Sequence, residues 1–175
     1  MITALLGDIT RLDFEIVAIP VDEEFEPVNA ISRAIYEKMG EELKENNSSQ
    51  ERGKIGFAHM IEVNNPPFQN IIRVVPPVYI DGEHNEAQLL KAVYWNSMVL
   101  AFDYLVKNDK KHVTLAFSSM HVAGRRFPFE EAAHIAVSTI REMYQRYWDS
   151  KHVDVVFVCD RREDYACLKK EIRQK

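Results

Sequence analysis

Ile2-Thr3-Ala4-Leu5-Leu6-Gly7-Asp8-Ile9-Thr10 opens the chain, and Glu15-Ile16-Val17 follows closely. An apolar run that stops at Gly7-Asp8 reads as a strand ended by a turn, and the run Ile16 to Val21 reads as a second strand. Beyond it, Ile31, Ala34, Ile35, Met39 and Leu43 recur at helical spacing. Pro27 suits the first turn of that helix, because its missing N–H would have no partner there. Asn46 to Gly53 is polar and turn-rich and reads as a loop.

The same alternation continues to the end. Phe57 to Val63 and Ile71 to Val75 are predicted strands, divided by Asn64-Asn65-Pro66-Pro67 and closed by Pro76-Pro77. Leu90, Val93, Tyr94, Ala101 and Leu105 mark the buried stripe of a long helix. Val113 to Phe117 is a strand, His121 to Phe127 a loop, and Pro128 opens a helix whose inner face holds Ala132, Ala133, Ala136, Ile140 and Met143. Val153 to Val158 is a nearly continuous apolar strand of the kind covered on both faces, and Tyr165 to Ile172 supplies a terminal helix. Strands separated by crossover helices imply an α/β fold, three-layer α/β/α, with a central mixed, largely parallel sheet. Ligands of such sheets sit beyond the carboxyl ends of the strands. That nominates the connections Val21 to Pro27, Pro76 to Asn85 and Ser118 to Phe127.

A length of 175 residues suits one domain, read as 1–175. The net charge of -5 argues against nucleic acid and anionic membranes as partners. No apolar run nears the ~20 residues of a membrane span, and no charged-then-apolar leader opens the chain. Cys159 and Cys167 read as reduced thiols of a cytoplasmic protein. Glycine-rich phosphate loops, the nucleophile elbow and the zinc-protease helix motif do not occur. The histidines at positions 59, 84, 112, 121, 134 and 152 are scattered singly, so neither a metal nor a cofactor is expected.

Taken in order, Gly7-Asp8-Ile9-Thr10, Glu15-Ile16-Val17, Ala34-Ile35, Ile71-Ile72-Arg73-Val74-Val75-Pro76-Pro77, Leu115-Ala116-Phe117 and Phe127-Pro128 before Ala132-Ala133 form one collinear set. With Val156-Phe157-Val158-Cys159-Asp160, that set resembles the macro domain family over nearly the whole chain. The family pattern runs G-D-I-T, then D-A-I-V-N-A-A-N, a G-G-G-V-D turn before A-I, V-I-H-T-V-G-P, and S-T-G-x-x-G-F-P. The resemblance implies a macro-type fold with a cleft for ADP-ribose or a related adenine nucleotide at the strand ends. It places Asp8 where a carboxylate accepts a hydrogen bond from the adenine amino group, with the Ile9 backbone N–H beside it. A carboxylate can read that amine and disfavours a base lacking it. The plainer alternative is that Asp8 stabilises the turn after the first strand.

The remaining family positions differ. Ala18 and Val21 stand at the two amide residues, and Val21 offers neither donor nor acceptor near the distal ribose. Asp22-Glu23-Glu24 reads as a solvated acidic loop, since carboxylates repel a diphosphate. Val28, Asn29 and Ala30 replace the three glycines ahead of Ile31-Ser32. Their side chains narrow the approach of a phosphate, although the helix dipole remains. The second phosphate loop maps onto His121-Val122-Ala123-Gly124-Arg125-Arg126-Phe127, which keeps the Phe and neither glycine in register. Arg125 and Arg126 either hold phosphate oxygens with their forks or pair with Glu130 and Glu131. His121 is the one acid/base candidate of this loop. Arg73 replaces a histidine, and burial there would call for an acidic partner. Cys159 stands where an aromatic commonly packs on adenine, so that stacking is lost.

Three readings follow. The first is a divergent binder of ADP-ribose or a related adenine nucleotide with the usual hydrolase residues lost. The second is an ADP-ribosyl hydrolase or phosphoesterase with a replaced catalytic group, His121 or Asp22 positioning water. The third is a macro-fold module that binds another protein and no nucleotide.

Overall fold

Strands covered by helices on both faces need two apolar sides, and residues 16 to 21 are apolar without a break. In the computed structural model, which describes residues 1–40, 42–43, 52–63, 66–120, 126–147 and 152–174, this stretch lies at the middle of a six-stranded sheet. The strands are β1 (Ile2–Leu6), β2 (Phe14–Pro20), β3 (Ala58–Glu62), β4 (Phe68–Val74), β5 (Val113–Phe117) and β6 (Val153–Cys159). Their order is β1-β6-β5-β2-β4-β3. All neighbouring pairs are parallel except β3 against β4. The mixed, largely parallel α/β sheet expected from the sequence is present.

Helices cover it, among the described residues α1 (Ala30–Met39), α2 (Glu86–Lys107), α3 (Phe129–Arg146) and α4 (Arg162–Arg173). Alternation along β2 divides the core in two. Ile16 and Ala18 join Leu90, Met98, Ala133 and Leu168 beneath α2, α3 and α4. Val17, Ile19 and Val21 join Ile35, Tyr36 and Met39 beneath α1. These are the three layers. A fully buried Ile or Val contributes about 1.5–3 kcal/mol, and every residue from Ile16 to Val21 is buried.

Several boundaries differ from expectation, two of them near the strand ends that matter most. Pro27 does not open α1; it pairs with Val21 in an isolated bridge, and the helix starts at Ala30 behind an Asn29 cap. β4 begins at Phe68 rather than Ile71, because pairing with β2 continues through Phe14 opposite Phe68 and Ile16 opposite Asn70. Asn70 is buried, and its side chain donates to the Glu15 carbonyl at 3.4 Å. Most of the predicted loop from Asn46 lies outside the described residues, as does 121–125 of the later one.

Arg73, on β4, is fully buried. Its guanidinium lies 4.2 Å from the centre of the Phe25 ring, and a terminal nitrogen lies 3.5 Å from His59 Nδ1. The Tyr36 side chain also hydrogen-bonds it, while the Tyr36 hydroxyl donates to the Phe25 carbonyl. These three partners, Phe25, His59 and Tyr36, are all aromatic. Burial lowers the arginine and raises the tyrosine, and the guanidinium stays charged.

Glu86 anchors the connection from β4 to α2. One of its oxygens accepts the N–H groups of Ile80, Asp81 and Gly82 at 3.1, 3.3 and 3.2 Å, and the other accepts that of His84 at 2.7 Å. Burial pushes this carboxyl up, but the backbone donors outweigh it and hold it down at about 2. A carboxyl depressed on folding stabilises the fold above its unfolded value, and that contribution disappears as pH falls through the folded one. Wild-type protein is therefore expected to lose stability between pH 4.5 and about 2. Glu86→Gln, already neutral, should show a shallower loss over that window in urea midpoints measured at each pH.

Candidate functional site

Because β1, β6, β5, β2 and β4 are parallel, their outgoing connections share one edge of the sheet. That edge gathers Asp8 after β1, Val21 to Asn29 after β2, Pro76 to Asn85 after β4, Ser118-Ser119-Met120 after β5 and Asp160-Arg161 after β6.

Asp8 caps the short 3₁₀ turn Ile9–Arg11. Its Oδ1 accepts from the Thr10 N–H at 3.0 Å and the Thr10 hydroxyl at 2.7 Å, and its Oδ2 lies 3.2 Å from Arg11 Nε. The Thr10 hydroxyl, then its N–H, then the charges of Arg11 and Lys38 hold the carboxyl below its ordinary value. The exposed group is thus an ionised acceptor of fixed orientation. It stabilises the turn, and Oδ2 keeps a further lone pair for a donor from outside. Ile9 beside it has its side chain in the core, so only its backbone can meet a ligand.

The second wall is built differently from the family pattern. Val21 is 0% exposed, and its N–H donates to the Val74 carbonyl at 2.8 Å. Asp22 folds the acidic turn by accepting the N–H groups of Glu24 and Glu26, both at 2.9 Å. Arg52 pairs with Glu24 at 2.8 Å, and Gly53 N–H donates to the Glu23 carbonyl at 2.8 Å. The loop is acidic as expected, but held at several points.

Asn29 is 2% exposed and forms a capping box with Ser32. Ala30 follows it, exposed, and Ile31 is half-buried. The Asn29 Nδ2 also donates to the Ser119 carbonyl at 3.4 Å, joining the start of α1 to the exit of β5.

His121, Ala123, Gly124 and Arg125 lie outside the described residues. Arg126 is exposed with φ 58°, so its backbone adopts the left-handed form that favours glycine. The resemblance puts a glycine there; the geometry persists although the residue is an arginine. Among the described residues Arg126 pairs with neither Glu130 nor Glu131, and Glu130 faces Lys170 at 3.8 Å. Phe127 is buried, its ring centre 5.0 Å from that of Tyr79.

A narrow crevice lies between α3, α4 and the ends of β5 and β6, lined by Ser118, Ser119, Phe129, Cys159, Asp164 and Leu168. Ser119 Oγ lies 3.3 Å from the buried Asp164 carboxylate. The sequence assigned neither group a role. The available signal was position: two serines directly after a strand, and an acid in the first turn of a helix. Cys159 is buried, and burial, followed by the charges of Asp164 and Asp160, pushes its thiol up to about 12. Asp81, His84 and Glu86 bring three potential metal ligands within 4.8 Å. Both Glu86 oxygens already accept backbone N–H groups, which makes this trio a loop anchor.

Comparison with known proteins agrees with the scaffold. The model of the Macro domain family matches residues 17–136. The O-acetyl-ADP-ribose deacetylase of Escherichia fergusonii is 30% identical over 162 residues, covering 90% of this chain and 87% of its own. A macro domain-containing protein of Acinetobacter sp. is 30% identical over 168 residues, covering 93% and 87%. The Oceanobacillus iheyensis macrodomain solved with ADP superposes with a TM-score of 0.82 at 20% identity, over 97% of this chain and 88% of its own.

A thiol so buried and so weakly acidic is inert. In folded protein at pH 7.5, Cys159 should stay unmodified by iodoacetamide and react only after denaturation, as read by peptide mass spectrometry.

Proposed function

The chain belongs to the macro domain family, and from that premise we propose that it binds ADP-ribose or a related adenine nucleotide and has lost the usual hydrolase chemistry. The observation that carries the reading is Asp8: an exposed, ionised acceptor held at the carboxyl edge of the sheet next to the Ile9 backbone. Such a group recognises the exocyclic amine of adenine and leaves the diphosphate to other contacts. The similar macrodomain from Oceanobacillus iheyensis was solved with ADP, which supports an adenine nucleotide as the ligand class.

The loss of hydrolysis rests on Ala18 and Val21, both fully buried and without a polar side-chain atom. Asp22, the nearest carboxylate to Val21, already accepts two backbone N–H groups of its own turn. His121, the other candidate for positioning water, falls outside the described residues. The reading as a module that binds only another protein draws on the same buried Val21 and on the capped start of α1. As for location, no helix among the described residues is long and apolar enough to cross a membrane, and both cysteines are free. We place the protein in the reducing cytoplasm.

Calorimetry with ADP-ribose, ADP and AMP tests the reading, and silence at millimolar ligand would leave only the protein-binding alternative. A charge-assisted hydrogen bond is worth about 1.5–3 kcal/mol, so wild type should prefer AMP over IMP, which lacks the amine, by about tenfold or more. Asp8→Ala should erase that preference; a preference that survives the substitution removes the adenine role. Mono-ADP-ribosylated protein should keep its label over hours of incubation, whereas release would restore the hydrolase reading.

A further inference from the structure

The N-terminal end of α1 faces the edge where the parallel strands finish, and an open helix end there attracts anions through its unpaired N–H groups. Here two N–H groups at that end are engaged from within. Ser32 N–H donates to Asn29 Oδ1 at 2.8 Å, and Asn29 N–H donates to Ser32 Oγ at 3.1 Å. The other end of the Asn29 amide crosses to the Ser119 carbonyl, 90 residues away in sequence. One buried side chain thus ties the first turn of α1 to the exit of β5. Charge acts the same way. Asp22, Glu23, Glu24 and Glu26 lie directly ahead of the helix, on a turn closed by the Val21–Pro27 bridge. Arg52 offsets Glu24 at 2.8 Å and Glu23 only at 3.9 Å. Net negative charge therefore remains where a second phosphate would approach.

We infer that Asn29 is a specificity-determining residue: it bolts the start of α1 to the exit of β5, closes that end of the cleft to a second phosphate, and restricts the site to adenine nucleotides shorter than ADP-ribose. The inference rests on the adenine reading of Asp8 and narrows it. AMP needs only the Asp8 side of the edge, while ADP-ribose must displace a satisfied cap and pass the acidic turn.

Two substitutions separate the bolt from the cap. Asn29→Ser retains an oxygen able to cap Ser32 N–H and removes the amide that reaches Ser119. Asn29→Gly removes both, at little cost for a helix start. Calorimetry of the full chain with AMP, ADP and ADP-ribose reads the outcome, with thermal melting as the control for folding. Wild type should bind AMP about tenfold or more tightly than ADP-ribose, as tenfold corresponds to one lost charge-assisted contact. Both variants should gain about tenfold for ADP-ribose with AMP unchanged. Wild type that binds ADP-ribose as tightly as AMP overturns the inference and leaves the adenine reading standing. So does an unaltered ratio in a folded variant. If neither wild type nor variants bind any of the three nucleotides, the adenine reading fails and the inference with it.

Discussion

β2 sends alternate side chains into two separate cores, Ile16 and Ala18 to one side and Val17, Ile19 and Val21 to the other. A slip of one residue would exchange the two sets and mismatch both helix layers. Small Ala18 shares its core with the rings of Tyr94, Phe117 and Phe157, which pack among themselves at 5.1 to 6.1 Å. On the opposite face Val17 and Ile19 share a core with Ile35, Tyr36 and Met39 of α1 and with Phe25. Because β2 pairs with β5 on one side and β4 on the other, its register sets where both neighbours end. The carboxyl edge that carries Asp8, Asn29 and Ser119 is a consequence of that pairing.

Much of this fold could be read from residue order. Val113 to Phe117 and Val153 to Val158 are apolar but for Thr114 and Asp154 because both strands lie between helices, and the structure places β5 and β6 there. The start of β4 escaped notice because Gln69 and Asn70 break the apolar pattern; what keeps them in the strand is pairing with β2. At the candidate site the legible part was local. Asp8 and its turn span three residues; the capping pair Asn29–Ser32 is equally local, but Pro27 suggested an earlier helix start. The contact from Asn29 to Ser119 is long-range, and no local pattern announces it. Glu86 was unreadable for a different reason: its partners are backbone N–H groups, which every residue other than proline carries.

Arg73 and Arg126 show how one residue type takes opposite roles according to surroundings. Arg73 sits over the Phe25 ring, and its long stem helps fill the core beneath α1. Phe25 itself adopts φ 63°, a left-handed backbone that costs about 1 kcal/mol or more for a non-glycine residue. Tyr36 binds its carbonyl, Gly53 packs against its ring, and the stacked guanidinium covers its face. Together they offset that cost and keep the acidic turn in place. Arg126 has the same backbone form at the surface, its side chain turned to solvent.

Glu86 occupies a hollow of four converging N–H groups, the type of concavity in which proteins commonly seat an anion from solution. Here the anion is tethered, so its effective concentration is set by the length of chain between Ile80 and Glu86 and not by any cellular pool. The hollow therefore stays saturated whether nucleotides are scarce or plentiful, and the strand-end loop beside Phe127 keeps one shape across metabolic states.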